Sequence, residues 1–232
     1  MLKIIIKKII YGYKATSESY ISFLRKKGIK VGNNCFIFCP KDTSIDTLNP
    51  HLLTIGNNVK ITGPATILTH DYSTCVLNNI DKRIYGKQKR TIIGNNVFLG
   101  WGCTILAGSS IGDNVIIGAG AVVSGVVENN SIYAGNPAKK IGTINEYRKR
   151  IKKNQLDDAK TIYYEYYKRN NKRPPIELFH EYFYLFSKHE DDLNETFVKK
   201  LNEENISFYN EDAEFNNYED FCIYCERDEK ND

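Results

Sequence analysis

By type and by place, His70 is the residue of this chain best suited to move a proton. An imidazole ordinarily titrates near pH 6.5, so it can take up or release a proton close to neutrality. It stands in the run Ile67-Leu68-Thr69-His70-Asp71-Tyr72-Ser73, just ahead of a segment that carries Lys82, Arg83, Lys87, Lys89 and Arg90. A base so placed can remove the proton of a hydroxyl as its oxygen attacks a carbonyl, an effect worth roughly 10²–10⁴-fold in rate. Asp71 is a candidate to orient the ring. Neighbours on a strand point to opposite faces, however, so a backbone carbonyl is an equal candidate for that partner. A lone histidine is more often structural than catalytic, and from this segment alone both readings stand. No serine or cysteine sits in a nucleophile-and-base motif, which argues against a covalent intermediate.

The elements that must position His70 are announced by a period of six. Ile93, Leu99, Ile105, Ile111, Ile117 and Val123 recur at that spacing, with glycine next at Gly94, Gly100, Gly112 and Gly118. Four positions after each aliphatic comes a small or β-branched residue: Val97, Cys103, Ser109, Val115, Ala121 and Val127. Neither a helix nor an alternating strand has this period. A repeat of six marks a hexapeptide β-helix, in which three hexads make one triangular coil and the aliphatic points inward. Gly, Asn and Asp at the corners tolerate the positive φ of tight turns. A β-sandwich is the alternative, and six units in phase speak against it.

The phase begins at Val31-Gly32-Asn33-Asn34 and Ile37, is lost between Pro40 and Pro50, and returns at Ile55, Ile61 and Ile67. An irregular coil or an excursion is expected over the gap. Ile67 and Ile93 are 26 residues apart, not a multiple of six, so a loop at about residues 73–91 must leave the coil beside His70. Long loops on a rigid scaffold commonly carry function.

Three parts are expected: a helical cap over residues 1–28, a β-helix over 29–142, and a helical extension over 143–232 ending in an acidic tail. Helices are expected from Ile144, from Pro174-Pro175 through Phe186, and from Leu193 to Leu201, with no clear period after Ser207. The start places Ile5, Ile6, Ile9 and Ile10 beside Lys7 and Lys8. Such a segment suits a cap on the open end of a solenoid, or else peripheral contact with a membrane surface. It lacks a signal-peptide cleavage site, and no segment is long enough to span a bilayer, so a cytoplasmic protein is expected.

The net charge is +4, but from His189 onward 15 acidic side chains face 4 basic ones. The remainder is therefore a basic body suited to anionic ligands. It has no recognisable nucleic-acid-reading module, so nucleic acid is not an expected partner. The six cysteines make no disulfide framework, and Cys222-Ile-Tyr-Cys225 is a single CxxC pair where zinc needs about four ligands. No metal is expected.

Residues 31–142 resemble the left-handed parallel β-helix (hexapeptide-repeat) acyltransferases, nearest to the sugar O-acetyltransferases of the maltose and galactoside type and their capsule and O-antigen relatives. Three stretches carry the likeness: Ile67 to Ser73, the repeat from Ile93 to Val123, and Ala134-Gly135-Asn136-Pro137-Ala138-Lys139-Lys140-Ile141. The resemblance implies a left-handed coil, acetyl-CoA as donor, a saccharide hydroxyl as acceptor, and His70 as the general base of a direct transfer. It implies a homotrimer with the acetyl-CoA groove between neighbouring prisms. By the same matching, Gly100 and Trp101 fall where a backbone amide meets the thioester oxygen. Ala119 and Ser124 fall along the pantetheine arm and Lys139 near the nucleotide phosphates, which Lys139 and Lys140 both suit by charge. Trp101 departs from the small or polar residue usual there, and Gly125 and Gly142 stand where relatives often carry a basic residue. The same family leaves open acetylation of an amino-sugar nucleotide or an antibiotic, and a β-helix that is only a scaffold. A zinc-bearing β-helix of the carbonic-anhydrase type needs three histidines on the prism, and only His51 and His70 are available.

Overall fold

An aliphatic side chain at every sixth position can be buried only if the backbone turns a corner between one and the next. In the computed structural model, which describes residues 2–188, 193–204, 206–208, 210 and 212–228, it does so. The chain divides into two compact units, Met1–Tyr147 and Arg148–Asp232.

In the first unit the strands run β1 (Lys30–Val31), β2 (Phe36–Ile37), β3 (Ser44–Ile45), β4 (Leu53–Ile55), β5 (Lys60–Ile61) and β6 (Thr66–Ile67). They continue as β7 (Thr91–Ile93), β8 (Val97–Leu99), β9 (Thr104–Ile105), β10 (Ser110–Ile111), β11 (Val115–Ile117), β12 (Val122–Val123), β13 (Val126–Val127), β14 (Ser131–Ala134) and β15 (Lys139–Thr143). From β1 to β14 each strand pairs in parallel with the strand three places on, giving three sheets. Successive passes of the chain thus add one strand to each of three faces. The register stacks like on like: Ile55 on Ile93 on Ile111, Ile61 on Leu99 on Ile117, and Ile45 on Ile67 on Ile105 on Val123. All of these aliphatics are buried. β15 returns antiparallel to β14 and edges the second sheet.

Two corners depart from the expected spacing. Of the two readings of the gap from Pro40 to Pro50, the structure has the irregular coil and not the excursion, for β3 lies within it and pairs with β6. Ile45 follows Ile37 by eight residues, so the two extra residues lengthen a corner and leave the stack intact. At the other end Val127, expected four places into a hexad, instead stacks on Ile111, because the corner before it has shrunk to Ser124 and Gly125.

The corner residues also divide their work differently from expectation. Positive φ falls on the second asparagine, at Asn34, Asn58, Asn96 and Asn114. The glycine before it answers to crowding: a Cβ on Gly94 would lie 2.6 Å from the carbonyl oxygen of Gly112.

The N-terminal segment forms α1 (Leu2–Tyr11) and α2 (Ser17–Lys26), joined by a 3-10 turn. Thr16 and Ser19 cap α2 reciprocally. α2 buries Tyr20, Ile21 and Leu24 in the same core as the stacked aliphatics. Ser17 Oγ accepts the amide of Ile37 at 2.9 Å and the Tyr20 hydroxyl accepts that of Ile45 at 3.2 Å. These bonds serve the first coil, which has no coil beyond it to supply carbonyls.

Between β6 and β7 the chain leaves the coil through a 3-10 turn and α3 (Cys75–Asp81). In the second unit, α4 (Ile144–Asn170) is followed by two 3-10 turns, Ile176–Phe179 and Phe183–Leu185, where a continuous helix was expected. Those turns still place Phe179, Phe183 and Phe186 in one aromatic core with Phe197 and Phe221. α5 (Glu195–Glu204) supplies Phe197, and the stretch without a clear period in the sequence includes α6 (Tyr218–Asp228). Asn217 accepts the amide of Asp220 at the start of α6. Cys222 and Cys225 are buried in that core and form no disulfide. The acidic tail begins at residues 189–192, which lie outside the described residues.

Candidate active site

Thr69 is buried two residues past β6, and the chain leaves the coil immediately after it. The outgoing and returning strands of the loop hold each other: Asp71 N–H donates to Lys87 O at 2.9 Å, Lys89 N–H donates to Thr69 O at 2.8 Å, and His70 bridges Gln88 antiparallel. This clasp fixes the backbone at His70.

The ring is fixed by Asp46, one residue past β3. Its Oδ2 lies 2.5 Å from His70 Nδ1 and also accepts the hydroxyl of Thr69 at 2.5 Å and its amide at 3.0 Å. Oδ1 accepts the amide of Leu48 at 2.9 Å. The Asp46 side chain is 4% exposed and that of His70 23%. Burial opposes the charge on Asp46, but the Thr69 hydroxyl, the Leu48 amide, His70 and the Thr69 amide outweigh it and bring the carboxyl down to about 2. An ionised carboxylate can only accept, so Nδ1–H donates, and the lone pair of a neutral ring is on Nε2. Nε2 has no partner among the described residues. Tyr72 meets the ring edge-on at 5.1 Å between centroids.

Asp71 does not orient the ring. Its Oδ1 accepts the amide of Ser73 and its Oδ2 pairs with Lys87 at 2.5 Å, and these bonds hold its carboxyl down at about 2. The alternation of strand faces already pointed away from it. The missed residue is Asp46. Its signal was the aliphatic Ile45, recognisable as a hexad position only once the two-residue insertion before it is allowed.

His70 opens on a cavity of about 620 Å³ lined also by Tyr72, Lys87, Lys89, Leu106, Gly108 and Ser124. Thus His70, Asp71 and Ser124 share one corner, the one between the third sheet and the first. The arrangement can take a proton at Nε2 and hold the resulting imidazolium against a buried carboxylate.

Residues 90–125 match the model of the bacterial transferase hexapeptide family, described as six repeats. Protein CapG of Staphylococcus aureus is 41% identical over 61% of this chain and 80% of its own length. A galactoside O-acetyltransferase of Lactococcus lactis is 30% identical over 56% of this chain and 70% of its own. A solved galactoside acetyltransferase in complex with coenzyme A is 24% identical over 57% of this chain and 73% of its own, with a TM-score of 0.40. The chain belongs to the hexapeptide-repeat acyltransferases.

In this hexapeptide-repeat acyltransferase the remaining candidate residues lie away from His70. Gly100, Trp101 and Ala119 occupy the corner between the second and third sheets. The amide of Gly100 is spent on Ile117 O, while Trp101 is 58% exposed and its own N–H takes no partner among the described residues. A Cβ on Gly100 would lie 2.6 Å from the Ala119 nitrogen, so the two corners stack in contact. Lys139 and Lys140 begin β15, both exposed. Lys140 is paired with Glu128 at 2.6 Å, and that bond raises its pKa. No cluster of three metal-ligating side chains occurs among the described residues.

Proposed function

We propose that this enzyme transfers the acetyl group of acetyl-CoA to a hydroxyl of a saccharide in capsule, O-antigen or other cell-surface glycan assembly, with His70 as general base. The observation that carries the proposal is the short bond between Asp46 and His70, which leaves Nε2 as the basic atom at an open cavity. The acceptor oxygen attacks the thioester carbonyl carbon while Nε2 takes its proton. The C–S bond then breaks, the departing sulfur takes the proton back from Nε2, and the products are the acetyl ester and the free thiol. Asp46 stabilises the imidazolium between these steps and does not itself take the proton. Asp46 is therefore a positioning residue.

The developing oxyanion needs a preorganised donor, and the free N–H of Trp101 is the candidate. Trp101 and His70 occupy different corners of one protomer, so the reading needs two protomers to bring them to one thioester. This supports a homotrimer of left-handed coils with the donor between neighbours, Ala119 and Ser124 along its pantetheine arm, and Lys139 with Lys140 near its phosphates. The small lining residues Gly108, Ser124 and Gly125 leave room for that narrow arm. Exposed Phe36, Phe38 and Phe98 on the second sheet, with Val76 and Ile80 on α3, are apolar surface that a neighbour would cover. A cytoplasmic site of action follows from the use of acetyl-CoA.

The test is release of free thiol from acetyl-CoA against a panel of sugars, nucleotide sugars and glycan fragments. Acceptor-dependent release is expected, lowered at least about 100-fold in kcat by His70→Ala with little change in acetyl-CoA affinity. Undiminished turnover in His70→Ala would remove the base assigned here.

A further inference from the structure

We infer that α1 is a membrane-docking helix that binds anionic lipid surfaces. Ile6, Ile9 and Ile10 lie at i, i+3 and i+4, one face of the helix, and are 47%, 79% and 64% exposed. Tyr11 and Tyr13 continue the exposed apolar surface at 43% and 45%. A protein that meets only water does not ordinarily leave adjacent isoleucines of one helix face so open. α2, which begins six residues after α1 ends, has a comparable apolar face and buries it in the core of the coil. The contrast separates a helix whose partner is the protein from a helix whose partner is something else.

Charge selects the occupant. The first thirteen residues contain Lys3, Lys7 and Lys8 and no acidic residue. Among the described side chains of α1, Lys7 is exposed beside the isoleucines. A short apolar face gives only weak attachment by itself, and a basic set beside it supplies the second attraction that a stable lipid contact requires. Two copies of α1 packed face to face would bury the same isoleucines but would bring like charges together with no acid to offset them. An anionic bilayer satisfies both faces at once. No helix among the described residues is long and apolar enough to cross a membrane, so the contact is with the surface. Docking would hold the enzyme where membrane-attached acceptors are concentrated.

The test is sedimentation of the full-length protein with vesicles of phosphatidylcholine and phosphatidylglycerol in equal parts, against vesicles of phosphatidylcholine alone. Binding is expected to the anionic vesicles and to fall at least about tenfold with pure phosphatidylcholine or in high salt. The double variant Ile9→Gln/Ile10→Gln is expected to lose at least about tenfold of the binding. Neither residue belongs to the stacked core, and an unchanged thermal midpoint verifies that the variant is folded. Three results would overturn the inference: no co-sedimentation with anionic vesicles, equal binding by the variant, or equal binding to neutral vesicles. A concentration-dependent association without lipid, abolished by the same variant, would assign the face to a second copy of the chain.

Discussion

Asp46 and His70 are 24 residues apart in sequence and 2.5 Å apart in space, because β3 and β6 pair one coil above the other. The bond puts a buried, ionised carboxylate behind Nδ1 and leaves Nε2 to the cavity. Asp71, adjacent in sequence, spends its carboxylate on Lys87 and Ser73. The two acids should therefore behave differently. Asp46→Asn keeps the shape but removes the charge that stabilises the imidazolium, and kcat is expected to fall on the order of 100-fold with KM for acetyl-CoA nearly unchanged. Asp71→Asn is expected to stay within about threefold of wild type, since only an exposed pair is lost. Steady-state kinetics of the two variants decides, and equal losses would mean that Asp46 is not the orienting partner.

The same carboxylate makes an acid-sensitive contribution to stability. Its folded pKa of about 2 lies below the ordinary 3.8, so its stabilisation is complete above the ordinary value and is lost as pH falls through about 2. Asp46→Asn has no such contribution at any pH. The stability gap between wild type and Asp46→Asn is therefore expected to narrow by on the order of 2 kcal/mol on going from pH 6 to about pH 2. Urea unfolding across that range measures it, and a gap independent of pH would show that the depressed pKa is not a property of the folded state.

Much of this fold was legible because burial in a three-faced coil imposes its own period. Ile93 to Val123 must be apolar at every sixth position, and nothing else in the chain competes with that pattern. What stayed hidden arose where a corner changed length. Two extra residues before Ile45 concealed β3 and with it Asp46, and the loss of two before Val127 moved that residue into the stack on Ile111. A period reports on stacked residues, and a corner can lengthen or shorten without altering the stack. In the second unit the same limit appears differently. Phe179, Phe183 and Phe186 have helix-like spacing, yet the chain takes two short 3-10 turns there and still gathers the three rings in one core. α6 was masked by its acids, although Asn217 ahead of Asp220 is a capping signal.

Glycine substitutions at one corner separate crowding from conformation. At Gly100 an added Cβ would meet backbone atoms of Ile117 and Ala119 at 2.6 Å, and neither can move without shifting a coil. At Gly120 φ is +67° and nothing lies within 4 Å of the added carbon. Gly100→Ala is expected to cost about 3 kcal/mol through overpacking, and Gly120→Ala about 1 kcal/mol through backbone strain alone. Chemical denaturation of both variants ranks them. The reverse order would mean that the coils are not in contact at Gly100.

The separation of Trp101 from His70 makes the trimer itself testable through catalysis. If one protomer contributes the base and its neighbour the oxyanion donor, His70→Ala and Trp101→Pro damage opposite sides of the same site. Proline at 101 removes the N–H and leaves His70 untouched. Each variant alone is expected to be nearly inactive, while a co-assembled equal mixture regenerates some interfaces with both sides intact. Random assembly of a cyclic trimer puts an undamaged pair at about one interface in four, so about a quarter of wild-type kcat should return. Sedimentation of the mixture must show a trimer and melting must show that both variants fold. With those conditions met, no recovery of activity would mean that the base and the oxyanion donor are not shared between neighbouring protomers.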